Sequence, residues 1–360
     1  MINKIFLYLF IIKLKYILFN LLCISFFIQI INILEITKLI ENKNSSIFNL
    51  LYLSFLKLPS VIIETIPFVI IISTAFVYRY LISNNEIISM RNIGYSIIDI
   101  FKPIALAIFF VGILILFIMN PLSAEFEKKF DNITTKDFSD LYSIKIINDE
   151  LWIKNIKDKD EKYFINISNI DIKNMKAKDI KIISLANSNT NFYFANNGDI
   201  DNKVFKMNNV KILNVKNDTY NQVKHLEINL NFDKNNLLDS ISNYKFVPFY
   251  KYAEHINSLK KFNLYSPEIA LYYLSEILKP FFLVIISFTV MGYTGKFKRN
   301  ENFFKILFVS ISIGFLLFML KEIITAFSVS FDISFLLSYF LILAIPFIIG
   351  LYLVINIEGK

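Results

Sequence analysis

The chain has 360 residues, 55% of them hydrophobic, with 38 Phe and 19 Tyr; the apolar residues fall in runs, so composition overrides the two or three soluble domains that length suggests. Its net charge of +8 is not gathered into a dense, aromatic-interleaved basic run, which excludes nucleic acid as a partner. One cysteine, Cys23, excludes an intramolecular disulfide and a thiolate metal site, and His225 and His255, far apart in sequence, read as polar-surface residues.

Residues 1–15 carry Lys4, Lys13 and Lys15 and no acid; residues 16–34 then run without a charge, long enough to cross ~30 Å of hydrocarbon. The run is too long for a cleaved signal peptide and no small-x-small site follows it. Leu21-Leu22 before Cys23 argues against a lipoprotein anchor. Residues 58–82 form a second predicted span, with Pro59 at its mouth and Glu64 and Pro67 inside. Glu64, about one turn in, reaches the nearer interface by snorkelling.

Residues 79–103 are a polar island. Ser83 stands three residues before Glu86, the spacing of a capping box; Ile87 and Met90 share a face, and Gly94 is a natural stop. The pattern predicts a short helix over 83–94 with an apolar stripe, and Ser96 and Asp99 repeat the capping signal ahead of a third span, 103–121, bracketed by prolines where a helix tolerates them. Later spans are predicted at 277–293, 303–327 and 333–355.

Basic residues in short loops set orientation. Lys4, Lys13, Lys15, Arg79, Arg91, Lys102, Lys296, Lys298, Arg299 and Lys305 fall on one side. On the other, Lys38, Lys43 and Lys57 are balanced by Glu35 and Glu41. Both termini are therefore expected in the cytoplasm and the long middle segment outside. That segment alternates apolar and polar residues, as at Val210 and Ile212 and at Leu226, Ile228, Leu230 and Phe232. Asn196-Asn197-Gly198-Asp199 reads as a turn between a strand at 192–194 and another at 203–207. From Pro248 the pattern becomes helical, with Phe249, Tyr252 and Ile256, and restarts at Ser266-Pro267-Glu268, an N-cap followed by proline.

The expected architecture is thus a membrane α-helical protein of six spans with an inserted antiparallel β-sandwich, jellyroll-like in form. Residues 1–122 hold spans one to three and 123–247 the β-domain. Residues 248–276 form a helical connector, and 277–360 hold spans four to six.

No catalytic constellation is legible. Gly292–Lys296 lacks the spacing and the Ser/Thr of a phosphate loop, and there is no nucleophile elbow or metal-spaced histidine pair, so no catalytic residue, metal or cofactor is assigned. Charges in or beside spans are functional candidates by default. Lys321 and Glu322 fall within span five, where adjacent residues point in different directions; Lys128 and Lys129 follow span three, placed to meet anionic head groups or to form a solvated stalk.

The order of these features, with Asn85-Glu86-Ile87-Ile88-Ser89-Met90-Arg91-Asn92-Ile93-Gly94 between spans two and three, resembles the LptF/LptG permeases of the bacterial lipopolysaccharide exporter over essentially the whole chain. Pro67 and Pro280 match the family's prolines. Leu151-Trp152-Ile153-Lys154 and Phe164-Ile165, opening the outside domain, are more similar to LptG than to LptF. The resemblance implies a non-catalytic inner-membrane half-transporter paired with an LptF-like permease. An LptB-like ATPase would dock on a coupling helix through Glu86, Ile87, Met90, Arg91 and Gly94. Lipopolysaccharide would pass to LptC-like and LptA-like periplasmic proteins. It also implies basic residues contacting lipid phosphates; Lys38, Lys128, Lys129 and Lys321 are the candidates, although Glu35 and Lys38 stand where the family has cavity lysines. Two other readings stay open at this point: a membrane-anchored scaffold or sensor with a ligand-binding β-domain, and a permease of another ATP-driven lipid or lipoprotein exporter.

Overall fold

The structure is a computed structural model. It describes residues 4–39, 47–134, 142–147, 150–158, 161–171, 175–186, 189–201, 203–215, 219–232, 237, 244–261, 265, 267–295, 302–331 and 333–358. Glu41, Lys43, Ser266, Lys296, Lys298 and Arg299, used above for orientation or capping, lie outside them. The chain divides into two compact units, Met1–Glu127 with Ala270–Lys360 and Lys128–Ile269.

The first unit is helical. Helices α1 (Lys4–Leu39) and α2 (Ile47–Ser83) are followed by a short α3 (Glu86–Asn92) and by α4 (Ile97–Leu114). A π turn, Ile115–Met119, joins α4 to α5 (Asn120–Thr134). Pro121 was expected to end this span and does not. The wider π turn moves the carbonyl at i−4 away from the proline ring, and the helix runs on. Among the described residues five helices are long and apolar enough to cross a membrane; α7 (Pro267–Ile277) and α8 (Lys279–Thr294), bent by 69° at their junction, make a sixth span if taken as one. The last two are α9 (Phe303–Ser330) and α10 (Phe335–Glu358).

These helices are apolar nearly all round, as bilayer spans are, so side-chain size decides which faces meet. Along α2, Ile66, Ile70, Val77 and Leu81 recur at helical spacing and are wholly buried, and the core gathers around them. Helices approach closely where a glycine stands. Gly112 of α4 lies against Pro280 of α8, Gly292 of α8 against Leu353 of α10, and Gly314 of α9 against Ile71 of α2.

The ends of α3 correct one expectation and meet another. The capping box at Ser83 and Glu86 does not form: Ser83 closes α2, and its hydroxyl donates to the Tyr80 carbonyl at 2.9 Å. Asn85, at φ 59, turns the chain, and α3 starts without a side-chain cap. The Ser96–Asp99 capping box is present in full. Gly94, at φ +99, ends α3 in a Schellman motif, with Gly94 N–H donating to Arg91 O and Tyr95 N–H to Met90 O. A Cβ at Gly94 would meet nothing within 4 Å. Gly94→Ala is therefore expected to destabilise through backbone strain alone, by about 1 kcal/mol, measurable by denaturant unfolding in detergent.

In the second unit, strands β1 (Tyr142–Ile147), β2 (Glu150–Asp158), β3 (Glu161–Asp171), β4 (Lys176–Ala186), β5 (Asn189–Asp201), β6 (Val204–Asn214) and β7 (Thr219–Asn229) form one seven-stranded antiparallel sheet, each paired with the next in sequence. Alternation buries one face: Leu151, Ile153, Ile165, Ile167, Ile180, Ile182, Phe205, Met207 and Ile228. The sheet rolls until its early and late strands meet. Asn155, on β2, donates from Nδ2 to Asn229 O at 2.9 Å and accepts from Asn231 N–H at 2.9 Å. The turn expected at 196–199 is instead the middle of β5, with Asn197 opposite Asn208 and Gly198 opposite Met207. Gly198 is there for space: a Cβ would fall 2.7 Å from Ile180 Cδ1 and 2.9 Å from Phe205 Cε2. Beyond the sheet, α6 (Tyr252–Lys261) precedes α7.

Candidate functional site

Three polar groupings interrupt the helical unit, and each has a reason to be there. The first is α3 itself. Met90 is buried and Ile87 packs half-buried on the same cluster, so the apolar stripe seen in the sequence fastens α3 to its own bundle. The opposite face presents Ile88 (59% exposed), Arg91 and Ile93 (71% exposed). Glu86 sits at the helix start, where a carboxylate suits the dipole. It accepts from the Tyr8 hydroxyl of α1 at 2.9 Å and 3.1 Å, one distance to each oxygen. Two shallow grooves open on this unit, one of them at the end of α3. One, about 350 Å³, is lined by Phe6, Leu9, Ile93, Gly94, Tyr95 and Lys102 among others. The other, about 410 Å³, lies between α1 and α2 and is lined by Tyr8, Ile12, Lys15, Tyr16, Phe19 and Tyr80 among others.

The second grouping was not legible as a site. Lys13, expected as an exposed flanking charge, is completely buried inside α1. Its ammonium donates to Thr74 Oγ1 at 2.7 Å, Ser73 Oγ at 2.8 Å and Ile70 O at 3.4 Å, and Thr74 in turn meets Ser287 Oγ of α8 at 2.9 Å. Three protons find three acceptors, which is what a buried ammonium needs. The signal lies in spacing: Leu9, Lys13 and Ile17 stand four apart on one buried face. Basic-residue counting reads Lys13 as a marker of the aqueous side and cannot see that face.

The third grouping lies at the α7–α8 break. Glu276 and Lys279 form an ion pair at 2.5 Å, with side chains 7% and 12% exposed. Lys279 also donates to Ile63 O of α2 at 3.3 Å. Pro67, four residues on, has no N–H to give that carbonyl, so the lysine replaces a missing helical bond. Lys321 of α9 is within electrostatic reach of both. Its ammonium lies 5.8 Å and 6.0 Å from the rings of Phe318 and Phe282, and 3.9 Å from the more exposed Glu322. Neither Glu276 nor Lys279 was singled out from sequence, although both charges stand just ahead of Pro280 in a largely apolar stretch.

Of the residues expected to contact a lipid, Lys38 is exposed in the last turn of α1, Lys128 and Lys129 are exposed on α5 in the second unit, and Lys321 belongs to the third grouping. Glu64 is exposed. His225 is exposed and within 2.8 Å of Asn208 Oδ1. Among the described residues no group of His, Cys, Asp or Glu is gathered that could hold a metal ion. The arrangement offers a short helix with an exposed apolar and basic face, and buried cations joining helices. The family model described as lipopolysaccharide export system permease LptF/LptG matches residues 7–356. No curated protein matches the chain.

Proposed function

The chain belongs to the lipopolysaccharide export system permease LptF/LptG family, and from that premise we propose that it is the LptG-type half of an ATP-driven exporter, paired with an LptF-like permease. It is a multi-pass inner-membrane permease of the lipopolysaccharide export system. Its α3 docks one subunit of an LptB-like ATPase dimer, the partner that hydrolyses ATP. Both termini and α3 face the cytoplasm, and residues 123–276 face the periplasm. There the β-domain hands lipopolysaccharide to LptC-like and LptA-like proteins. Lys38, Lys128, Lys129 and Lys321 contact the lipid's phosphates. The preference for LptG rests on Leu151-Trp152-Ile153-Lys154 and Phe164-Ile165 alone.

The observation that carries the docking assignment is the division of α3 into two faces. Ile87 and Met90 are held by the bundle, while Ile88, Arg91 and Ile93 stand in the open beside the Glu86 carboxylate. A helix fastened along one side and bare along the other transmits a push to the spans that flank it. Docking by ATPase closure would press α3, tilt α2 and α4, and constrict the lipid site.

The test is co-purification from cells of the chain's own source. An ATPase should accompany the wild-type protein. Glu86→Ala, which removes one charged contact worth about 1.5–3 kcal/mol, should lower its recovery about tenfold or more. Unchanged recovery with Glu86→Ala overturns the docking role, and absence of any ATPase from the wild-type preparation overturns the transporter reading itself.

A further inference from the structure

We infer that Tyr8 and Lys13 are positioning residues that clamp the first third of α1 onto the α2–α3 hairpin, making α1 the arm through which movement of α3 reaches the lipid; this rests on the function proposed above. Two independent contacts carry it. The Tyr8 hydroxyl is shared between both oxygens of Glu86, the acidic residue of α3. Lys13 spends all three ammonium protons on α2, at Ser73, Thr74 and Ile70. The two residues are about 7.5 Å apart along the helix at ~1.5 Å per residue, so α1 is gripped at two levels and cannot pivot between them.

The grip is directional, which separates it from the rest of the α1 interface. Leu9, Ile17 and Ile36 make apolar contacts, and such contacts tolerate sliding because they have no preferred angle. An ammonium buried among hydroxyls does not. Sliding α1 against α2 would leave a bare cation and bare acceptors in a low-dielectric interior.

The far half of α1 shows the opposite condition. The Gln29 side-chain oxygen and the Asn32 side-chain nitrogen are buried without a hydrogen-bond partner, and buried polar groups in that state are uncommon and costly. Here, then, α1 is tied by side-chain hydrogen bonds at the α3 end and has buried amides left unmatched at the other. A helix fixed at one end and unsatisfied at the other is set to swing, with α3 moving the fixed end.

The experiment uses the whole complex with its ATPase, reconstituted in proteoliposomes, and reads lipopolysaccharide released per ATP hydrolysed. Tyr8→Phe removes one hydroxyl from a partly exposed ring, and Lys13→Met removes the buried cation while keeping the length of the chain. With the ATPase still bound, each is expected to lower release per ATP about fivefold or more. A merely structural role would lower complex yield, hydrolysis and release together and leave the ratio unchanged. An unchanged ratio for Tyr8→Phe overturns the proposal. If Lys13→Met does not assemble, Tyr8→Phe decides alone. Failure of the underlying function is distinguishable, since wild-type vesicles would then neither hydrolyse ATP nor release lipid.

Discussion

Glu276→Ala is expected to destabilise the helical unit by about 3–5 kcal/mol, the range for removing one partner of a buried ion pair. The carboxylate is 2.5 Å from Lys279 with both side chains largely shielded from solvent, and Lys321 brings a second cation close by. Removing the carboxylate leaves two ammoniums within electrostatic reach of each other with one exposed acid, Glu322, at the edge. The loss should be read as a lowered unfolding midpoint in detergent. Glu276→Ala with Lys279→Met should recover most of it, because a buried pair exchanged for apolar groups of similar size is often close to neutral. A single variant that unfolds like the wild type would show that the pair is solvated and carries no stability.

Gly112→Val is expected to have the next largest effect, a loss of about 1–3 kcal/mol or more from overpacking. A Cβ at Gly112 would lie 2.7 Å from Pro280 Cα and 2.8 Å from Pro280 Cβ. Both atoms belong to a rigid ring and backbone at the first turn of α8, so no rotamer change relieves the contact, and the helices must separate. The comparison that isolates this cause is Gly314→Ala. Its Cβ would meet Ile71 Cδ1 at 2.2 Å, Cγ1 at 3.0 Å and Cγ2 at 3.1 Å, nominally a worse clash, but every obstacle is a side-chain atom and none is backbone. Gly314→Ala should therefore cost less than Gly112→Ala by the same unfolding measurement. The reverse order would show that backbone rigidity is not what limits the α4–α8 approach.

What the sequence made legible follows from which forces are local. The apolar runs, the Ser96–Asp99 box and the Gly94 stop depend on residues a few positions apart, and the structure has all three. The membrane helical architecture with an inserted antiparallel β-domain was legible for the same reason, since the alternation at Val210 and Ile228 is a strand's own period; Phe232, expected in the same strand, lies beyond its end at Asn229. The Ser83 cap was misread because capping spacing says nothing of whether a preceding helix has already claimed the serine. The Asn196–Asp199 segment was misread because Gly198 answers to Ile180 and Phe205, residues remote in sequence, and not to a turn. Of the candidate site, α3 was visible as a polar island, but not which of its faces would be spent on its own core. Lys13 and the Glu276–Lys279 pair were invisible as sites, since a buried charge is identified by acceptors on other helices, and a helix apolar all round gives no stripe to mark its inner side.

The bond from Lys279 to Ile63 joins two discontinuities. The ladder of α2 is missing a rung at Pro67, and α7 and α8 are bent by 69° where Lys279 begins the second of them. A helix flexes most easily where a rung is absent, so each of these places is a knee. Because one ammonium spans both, neither place can flex without pulling on the other. The α2 and α7–α8 elements are geared together, and α2 is also the helix that ends beside α3.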